Sequence, residues 1–257
     1  MEKKKIILSV ALAVRNEESN LELCLSSIKD IADEIVVVDG DSNDKTVEIA
    51  ESFHSIVIKT DNPPIFHINK QKALDACRGV WILQLDADEV VTEELKEEIR
   101  LTINDGRLTN KGYYIPRRNY FWGHFMKKGG QYPDYVIRLV KRGYARFPCK
   151  SVHEQIQIDG EVGYIKEPML HYSYRTFDDY WKKAATYTEL TAKEFKENGL
   201  KKNLGTWVHY VILEPMKTFF LLFIRHKGFL DGIYGFIFAY FSALHYPIAY
   251  RKYMKTV

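Results

Sequence analysis

Apolar and polar positions come in alternating blocks along the first hundred residues. Residues 6–14 form a continuous apolar run with β-branched members, the pattern of a strand covered on both faces. Leu21, Cys24, Leu25 and Ile28 then recur at helical spacing after Ser19 or Asn20, either of which suits an N-cap. A second strand is expected over 34–38, ending at Asp39-Gly40, and a helix over 46–53 with Val47, Ala50 and Phe53 on one face. A short strand at 55–59, a helix at 67–77 stopped by Gly79, a strand at 80–85 and a helix at 92–103 follow. This βαβα order predicts a parallel sheet with right-handed crossovers.

Beyond residue 110 the rhythm changes. Strands are expected at 113–116, 135–141 and 162–165, separated by Gly- and aromatic-rich stretches. Thr176-Phe177-Asp178-Asp179 opens a long helix ending near Asn198-Gly199. Two apolar segments, 206–224 and 229–250, close the chain. The pattern divides into a catalytic α/β domain over 1–200 and an apolar helical segment over 201–257.

Composition is that of a globular protein able to bury a core, at 46% hydrophobic and 28% charged. A net charge of +3 is too small for a nucleic-acid binder, but its distribution is uneven. Residues 200–257 carry eight Lys or Arg against Glu214 and Asp231, and fourteen of the 35 aromatic residues fall within 204–257. Basic plus aromatic is the composition of an element that docks on a membrane surface. The longest cleanly apolar run, 232–244, is shorter than the ~20 residues a spanning helix needs. Docking at the inner face of the cell membrane without crossing is therefore expected, with Phe219, Phe220, Phe223, Phe236, Phe238 and Phe241 at the lipid boundary. Cys24, Cys77 and Cys149 fit no metal spacing and read as reduced thiols of a cytosolic protein. Lys3–Lys5 and the run after them imitate a signal peptide, with Ala11-Leu12-Ala13 as a mock cleavage site. A buried first strand is the better reading, because the run stops at Arg15-Asn16-Glu17-Glu18 and passes straight into a helical pattern.

Three acid-bearing turns follow three of the early strands: Asn16-Glu17-Glu18, Asp39-Gly40-Asp41 and Asp86-Ala87-Asp88. In a parallel sheet all three lie at the carboxyl edge, where open α/β folds bind ligands. Two carboxylates two residues apart, after the apolar Trp81-Ile82-Leu83-Gln84-Leu85, cost desolvation unless a cation compensates. Hard oxygen donors suit magnesium or manganese, and those ions suit a diphosphate. The alternative use of Asp88-Glu89 is as N-cap of the helix near Thr92.

The runs SVALAVRNEE (9–18), IVVVDGDSNDKT (35–46) and ILQLDADE (82–89) together resemble the family 2 glycosyltransferases of GT-A fold, a Rossmann-like, mixed but mainly parallel sheet flanked by helices. YPDYVIRL (132–139), Val152-His153-Glu154, HYSY (171–174) and KGFLDG (227–232) are similar to a subgroup that includes lipopolysaccharide core β-glucosyltransferases. The resemblance implies a nucleotide-diphosphate sugar donor, UDP-glucose-like, and a glycan or lipid-linked acceptor. It implies that Val14, Asn16, Glu17, Asp39, Asp86 and Ala87 line the nucleotide-sugar site, with Asp39 reading the base edge and Glu17 touching the nucleoside. Asp86 would lie near the ribose or the metal, and Asp88 would ligate the ion. Lys72 stands where Asn is expected, which alters the floor of the sugar pocket.

Family 2 enzymes invert, so a carboxylate must take the proton of the attacking hydroxyl. Glu154 is the first candidate and Asp134 the second. His153 and His171 are candidates for a further metal ligand. Arg117, Arg118, Lys127 and Lys128 flank the aromatic loop Tyr120-Phe121-Trp122, a place for an acceptor sugar or phosphate or simply a solvated charged loop. A nucleotidyltransferase is the enzyme rival, although Arg15-Asn16-Glu17 lacks the glycines of its phosphate loop. A non-catalytic, membrane-bound sugar-nucleotide-binding protein is the rival from another class.

Overall fold

The structure is a computed structural model and describes residues 5–106, 109–150 and 155–255. The chain forms two compact units. One comprises Met1–Arg117 and Tyr135–His171, the other Arg118–Asp134 and Tyr172–Val257. A loop and the long helix before residue 200 fall in the same compact unit as the tail.

In chain order the elements of the first unit are β1 (Leu8–Val14), α1 (Leu21–Ser26), β2 (Glu34–Asp39), α2 (Thr46–Ser52), β3 (Ile56–Lys59), α3 (His67–Ala76), β4 (Trp81–Leu85), β5 (Glu89–Val90) and α4 (Glu93–Asn104). Further along the chain, without regard to unit, come β6 (Gly112–Phe121), β7 (His124–Phe125, in the second unit), β8 (Asp134–Lys141), β9 (Ala145–Arg146), β10 (Gln157–Ile158), β11 (Val162–Tyr164) and β12 (Met169–Tyr174). The main sheet runs β3-β2-β1-β4-β8-β6-β12-β5, with β11 also on β6. β3, β2, β1 and β4 are mutually parallel, β8 turns antiparallel to β4, and β12 is antiparallel to β5. The mixed sheet flanked by helices is the architecture expected, and all the early elements stand within two or three residues of their expected ends.

The physical reasons are local. β1 lies centrally and is buried along nearly its whole length. Its one polar side chain is satisfied: Ser9 Oγ donates to Glu34 Oε1 at 2.7 Å and accepts from Gly79 N at 2.8 Å. A Cβ on Gly79 would sit 2.6 Å from Ser9 N, so glycine is required for that approach. Leu21, Cys24 and Leu25 on α1 and Leu95 and Ile99 on α4 join the core around Val10, Leu12, Leu83 and Leu85. Each fully buried Leu or Ile contributes roughly 1.5–3 kcal/mol. Thr92 itself caps α4, accepting from Leu95 N at 3.2 Å. Asp88 and Glu89 are thereby excluded as the cap, and Glu89 lies in β5 instead.

The second unit contains α5 (Phe177–Glu197), opened by the capping box of Thr176 and Asp179. One continuous helix, α6 (Leu204–Arg225), follows, then α7 (Gly232–Ala243) and α8 (His245–Lys255). Glu214, Pro215 and Lys217 interrupt the apolar run of the 206–224 segment, yet the helix continues through them. Pro215 lacks an N–H, and the turns at His209–Leu213, just before it, and at Leu221–Arg225 are π-helical, so the irregularity is absorbed without a break. Lys217 bonds Glu214 at 3.1 Å, and His209 Nε2 lies 3.4 Å from the same carboxylate. By length and composition, α6 is capable of crossing a membrane.

Candidate active site

The register of the parallel strands brings the acidic turns together. Val14 lies beside Asp39 and Leu12 beside Leu85, so the chain leaves β1, β2 and β4 at one carboxyl edge. Two of the loops are stitched to each other. Asn16 N donates to Ser42 Oγ at 2.9 Å, Asn43 N donates to Asn16 Oδ1 at 2.9 Å, and Glu17 N donates to Thr46 Oγ1 at 2.7 Å. Asn16 and Asp41 take positive φ of 53° and 66°, a conformation that short polar side chains tolerate. Val14 O receives Gly40 N at 2.9 Å, and Glu17 accepts from Asn20 Nδ2 at 2.8 Å.

Asp39 is only 3% exposed. Its Oδ2 accepts from Ser42 N at 3.2 Å, while its buried Oδ1 has no partner. Asn69, whose Nδ2 would lie 3.3 Å from a Cβ on Gly40, likewise has a buried, unpartnered Oδ1. An unmet buried acceptor costs roughly 1–3 kcal/mol, so two so close in the fold mark a place where a ligand's donors are wanted.

The second cluster surrounds Asp86. Lys70 Nζ pairs with its Oδ1, and Arg138 Nη2 bonds its Oδ2 at 2.6 Å. The same guanidinium reaches Glu89 Oε1 at 2.8 Å and Gln84 Oε1, and Arg117 Nη1 lies 3.4 Å from Glu89. Glu89 also accepts from Asp86 N at 3.0 Å. Burial pushes the Asp86 carboxyl up, but Arg138 and Lys70 outweigh it and hold it well below the usual carboxylate range. Burial likewise disfavours the Arg138 cation, and Asp86 and Glu89 more than offset that. Side-chain cations thus supply the compensation that the sequence reading assigned to a metal. The Cys24 thiol, wholly buried behind these carboxylates, is pushed well up by burial and then by Glu89, Asp88 and Asp86.

Asp88 is placed differently. β5 pairs with β12 so that His171 faces Glu89 across the ladder, and His171 Nε2 stands 3.6 Å from Asp88 Oδ1. That gap exceeds a hydrogen bond. A carboxylate oxygen and an imidazole nitrogen so placed are two donors that one divalent ion would bridge. Among the described residues no group of three or more His, Cys, Asp or Glu converges on a metal position. A pair of protein donors fits magnesium or manganese when substrate phosphates complete the shell.

Other expected residues fall elsewhere. Ala87 and Val14 are core residues of the first unit, contributing backbone at the edge rather than side chains. Lys72 turns to Thr60 Oγ1 at 2.6 Å and lies 3.6 Å from Asp61. Lys70, two positions earlier and on another face of α3, is the lysine at Asp86. Asp134 belongs to the second unit, where its Oδ2 accepts from Asn119 Nδ2 at 3.0 Å. His153 and Glu154 lie outside the described residues. A cleft of about 280 Å³ in the first unit is lined by His67, Lys70, Arg117, Arg138, Phe147 and Gln155. Lys70, Glu89 and Arg138 were missed in the sequence. A signal existed for Arg138 and Gln84, each a lone polar residue inside an apolar strand run, and the two bond each other.

A family model described as Glycosyl transferase family 2 matches residues 9–169. The lipopolysaccharide core biosynthesis glycosyltransferase LpsC of Rhizobium meliloti is 28% identical over 263 residues, covering 93% of this chain and 91% of the relative. An uncharacterized glycosyltransferase of Rickettsia bellii is 28% identical over 252 residues, covering 91% of this chain and 81% of the relative. Among solved structures, residues 1–349 of S. aureus TarS in complex with UDP-GlcNAc superpose with a TM-score of 0.51 at 15% identity, covering 96% of this chain and 92% of that one.

Proposed function

The chain belongs to glycosyl transferase family 2, and from that premise we propose an inverting enzyme that moves a sugar from a UDP-sugar, UDP-glucose in the first instance, to a lipid-linked envelope glycan at the inner face of the membrane. The family and the GT-A fold make the chain a glycosyltransferase. The resemblance to LpsC, a lipopolysaccharide core enzyme by its name, supports the acceptor class.

In this reading the unpartnered Asp39 Oδ1 accepts an N–H of the base, and the Glu17 loop lies along the nucleoside. Asp88 and His171 would hold a divalent ion, Mn or Mg. That ion, when bound, supplies Lewis-acid stabilisation of the departing diphosphate. Asp86, neutralised by Lys70 and Arg138, holds the strand end and the two cations in place. The acceptor hydroxyl oxygen forms its bond to the anomeric carbon opposite the nucleotide, and the bond to the diphosphate breaks with its electron pair. Glu154, or else Asp134, takes the hydroxyl proton.

The observation that carries this reading is the division of roles within Asp86-Ala87-Asp88. One carboxylate is tied to fixed cations and the other stands at ligand spacing from a histidine. Calorimetric titration of UDP into the full chain tests it. Binding should require Mn or Mg and should disappear in Asp88→Ala with thermal unfolding unchanged. Equal UDP affinity with and without metal would refute the assignment.

A further inference from the structure

The second unit exposes two apolar stripes. Ile212, Met216, Phe220 and Ile224 recur every four residues on α6. Leu230, Ile233, Phe236 and Tyr240 line one side of α7 and the turn before it. These eight side chains are 40–63% exposed. A contiguous apolar face of this kind marks an interaction surface.

Both helices are nevertheless anchored. Phe219 and Phe223 each stand 5.7 Å from the Phe236 ring, which fastens α6 to α7. Tyr210 and Val211 of α6 pack on the cluster of Phe195, Ala249, Tyr250 and Tyr253. Phe238 and Phe241 of α7 pack with Phe121, Met126 and Tyr180. Five of the six phenylalanines expected at the lipid boundary therefore take part in packing, Phe236 while still 43% exposed, and Phe220 is the most exposed at 56%. Crossing a membrane would require α6 to strip Tyr210 and Val211 from their core, so lying flat is the cheaper arrangement.

Charge identifies what the stripes meet. The turn between them is Arg225-His226-Lys227, fully on the surface. Asp231, itself buried, binds a second basic segment beside it. Its Oδ1 accepts from Lys127 N at 3.0 Å and its Oδ2 from Lys128 N at 2.7 Å. Gly129 N donates to His226 O at 3.0 Å. The Asp231 carboxylate is thus spent on two backbone N–H groups and on His124 Nε2, 3.3 Å from its Oδ1, and the exposed side chains of Lys127, Lys128, Arg225 and Lys227 gather where the two stripes meet. Two apolar stripes with a basic rim form the signature of an interfacial element on anionic lipid.

We propose that the α6 and α7 stripes and these four cations form one surface that lies on an anionic phospholipid bilayer, with the stripes at the acyl boundary, the cations among the head groups and no helix crossing. The proposal rests on the membrane reading above but not on the donor chemistry. Asp231 is the positioning residue that holds Lys127 and Lys128 against the turn.

Sedimentation of the full chain with vesicles tests it, using phosphatidylcholine alone or mixed with phosphatidylglycerol. Wild type should favour the anionic vesicles and lose that preference at high salt. Phe220→Gln combined with Ile233→Gln should weaken binding roughly tenfold or more. Lys127→Gln combined with Lys128→Gln should abolish the anionic preference, again by roughly tenfold or more. Thermal unfolding and UDP titration should be unchanged in both, and wild type that binds anionic vesicles but no UDP would sink the nucleotide reading alone. Equal sedimentation of all forms would overturn the surface. So would self-association without vesicles that Phe220→Gln abolishes, since the stripes would then face a second copy. Protection of the C-terminus inside vesicles from added protease would show that α6 crosses.

Discussion

At the carboxyl edge of the first unit's sheet, Glu89 and Arg138 lie inside the protein and are paired. On α6 and α7 of the second unit, Phe220 and Ile233 stay 56% and 63% exposed. Each arrangement runs against the partition that folding alone favours. A buried charge costs several kcal/mol unless a partner answers it, and an exposed apolar side chain forgoes the gain of burial. The first deviation makes a stiff, pre-arranged polar site. The second leaves a face that is satisfied only by something apolar outside it. The same contrast separates Asp39 Oδ1, a buried acceptor that wants a donor, from the α6 stripe, which wants a lipid.

Three variants probe this contrast. The largest effect is expected from Arg138→Met, which strips partners from Asp86, Glu89 and Gln84 at once. Denaturant titration should give a loss of about 3–5 kcal/mol, the usual cost of an orphaned buried charge. A loss below about 1 kcal/mol would mean that water or Arg117 takes over. Acid is the next probe. Glu34 is buried and held below the usual carboxylate range. Burial pushes it up, but Arg78 N at 2.8 Å, Ser9 Oγ at 2.7 Å and the Arg78 side chain more than offset that. A carboxyl lowered on folding contributes stability above its unfolded pKa and loses it as pH falls through the folded one. Unfolding free energy should therefore drop below about pH 4.5, and the drop should be shallower in Glu34→Gln. The smallest effect is expected on the other side of the comparison. Phe220→Ser should shift stability by no more than about 0.5 kcal/mol, because its ring already faces outward. A loss of more than about 2 kcal/mol would make that ring part of the core.

Legibility in the sequence followed the range of the interactions. The alternation of residues 6–104 set β1 to β4 and α1 to α4, because amphipathic periodicity and caps such as Thr92 act within a few residues. The acidic turns could be assigned to one edge, since parallel strands with right-handed crossovers admit no other place for them. Lys70 against Lys72 could not be decided. Both are lysines on one short helix, and only the packing of α3 against the sheet determines which reaches Asp86. His171 was named but not located, because its approach to Asp88 depends on the two-residue pairing of β5 with β12.

The tail shows the same limit from the other direction. Its apolar, aromatic and basic character was plain, but how one helix runs through Glu214, Pro215 and Lys217 was not. Glu214, Pro215 and Lys217 look like breaks in a list of residues, and become tolerable once a π-helical turn precedes the proline and the two charges pair. The sequence by itself determined which segments are strands and helices, which edge carries the carboxylates, and that the C-terminal helices are richer in apolar surface than a small unit can bury. Tertiary structure alone decided which carboxylate is neutralised by Lys70 and Arg138, which faces His171, and which phenylalanines are inside. Those outcomes depend on contacts between residues far apart in the chain, and no local periodicity encodes them.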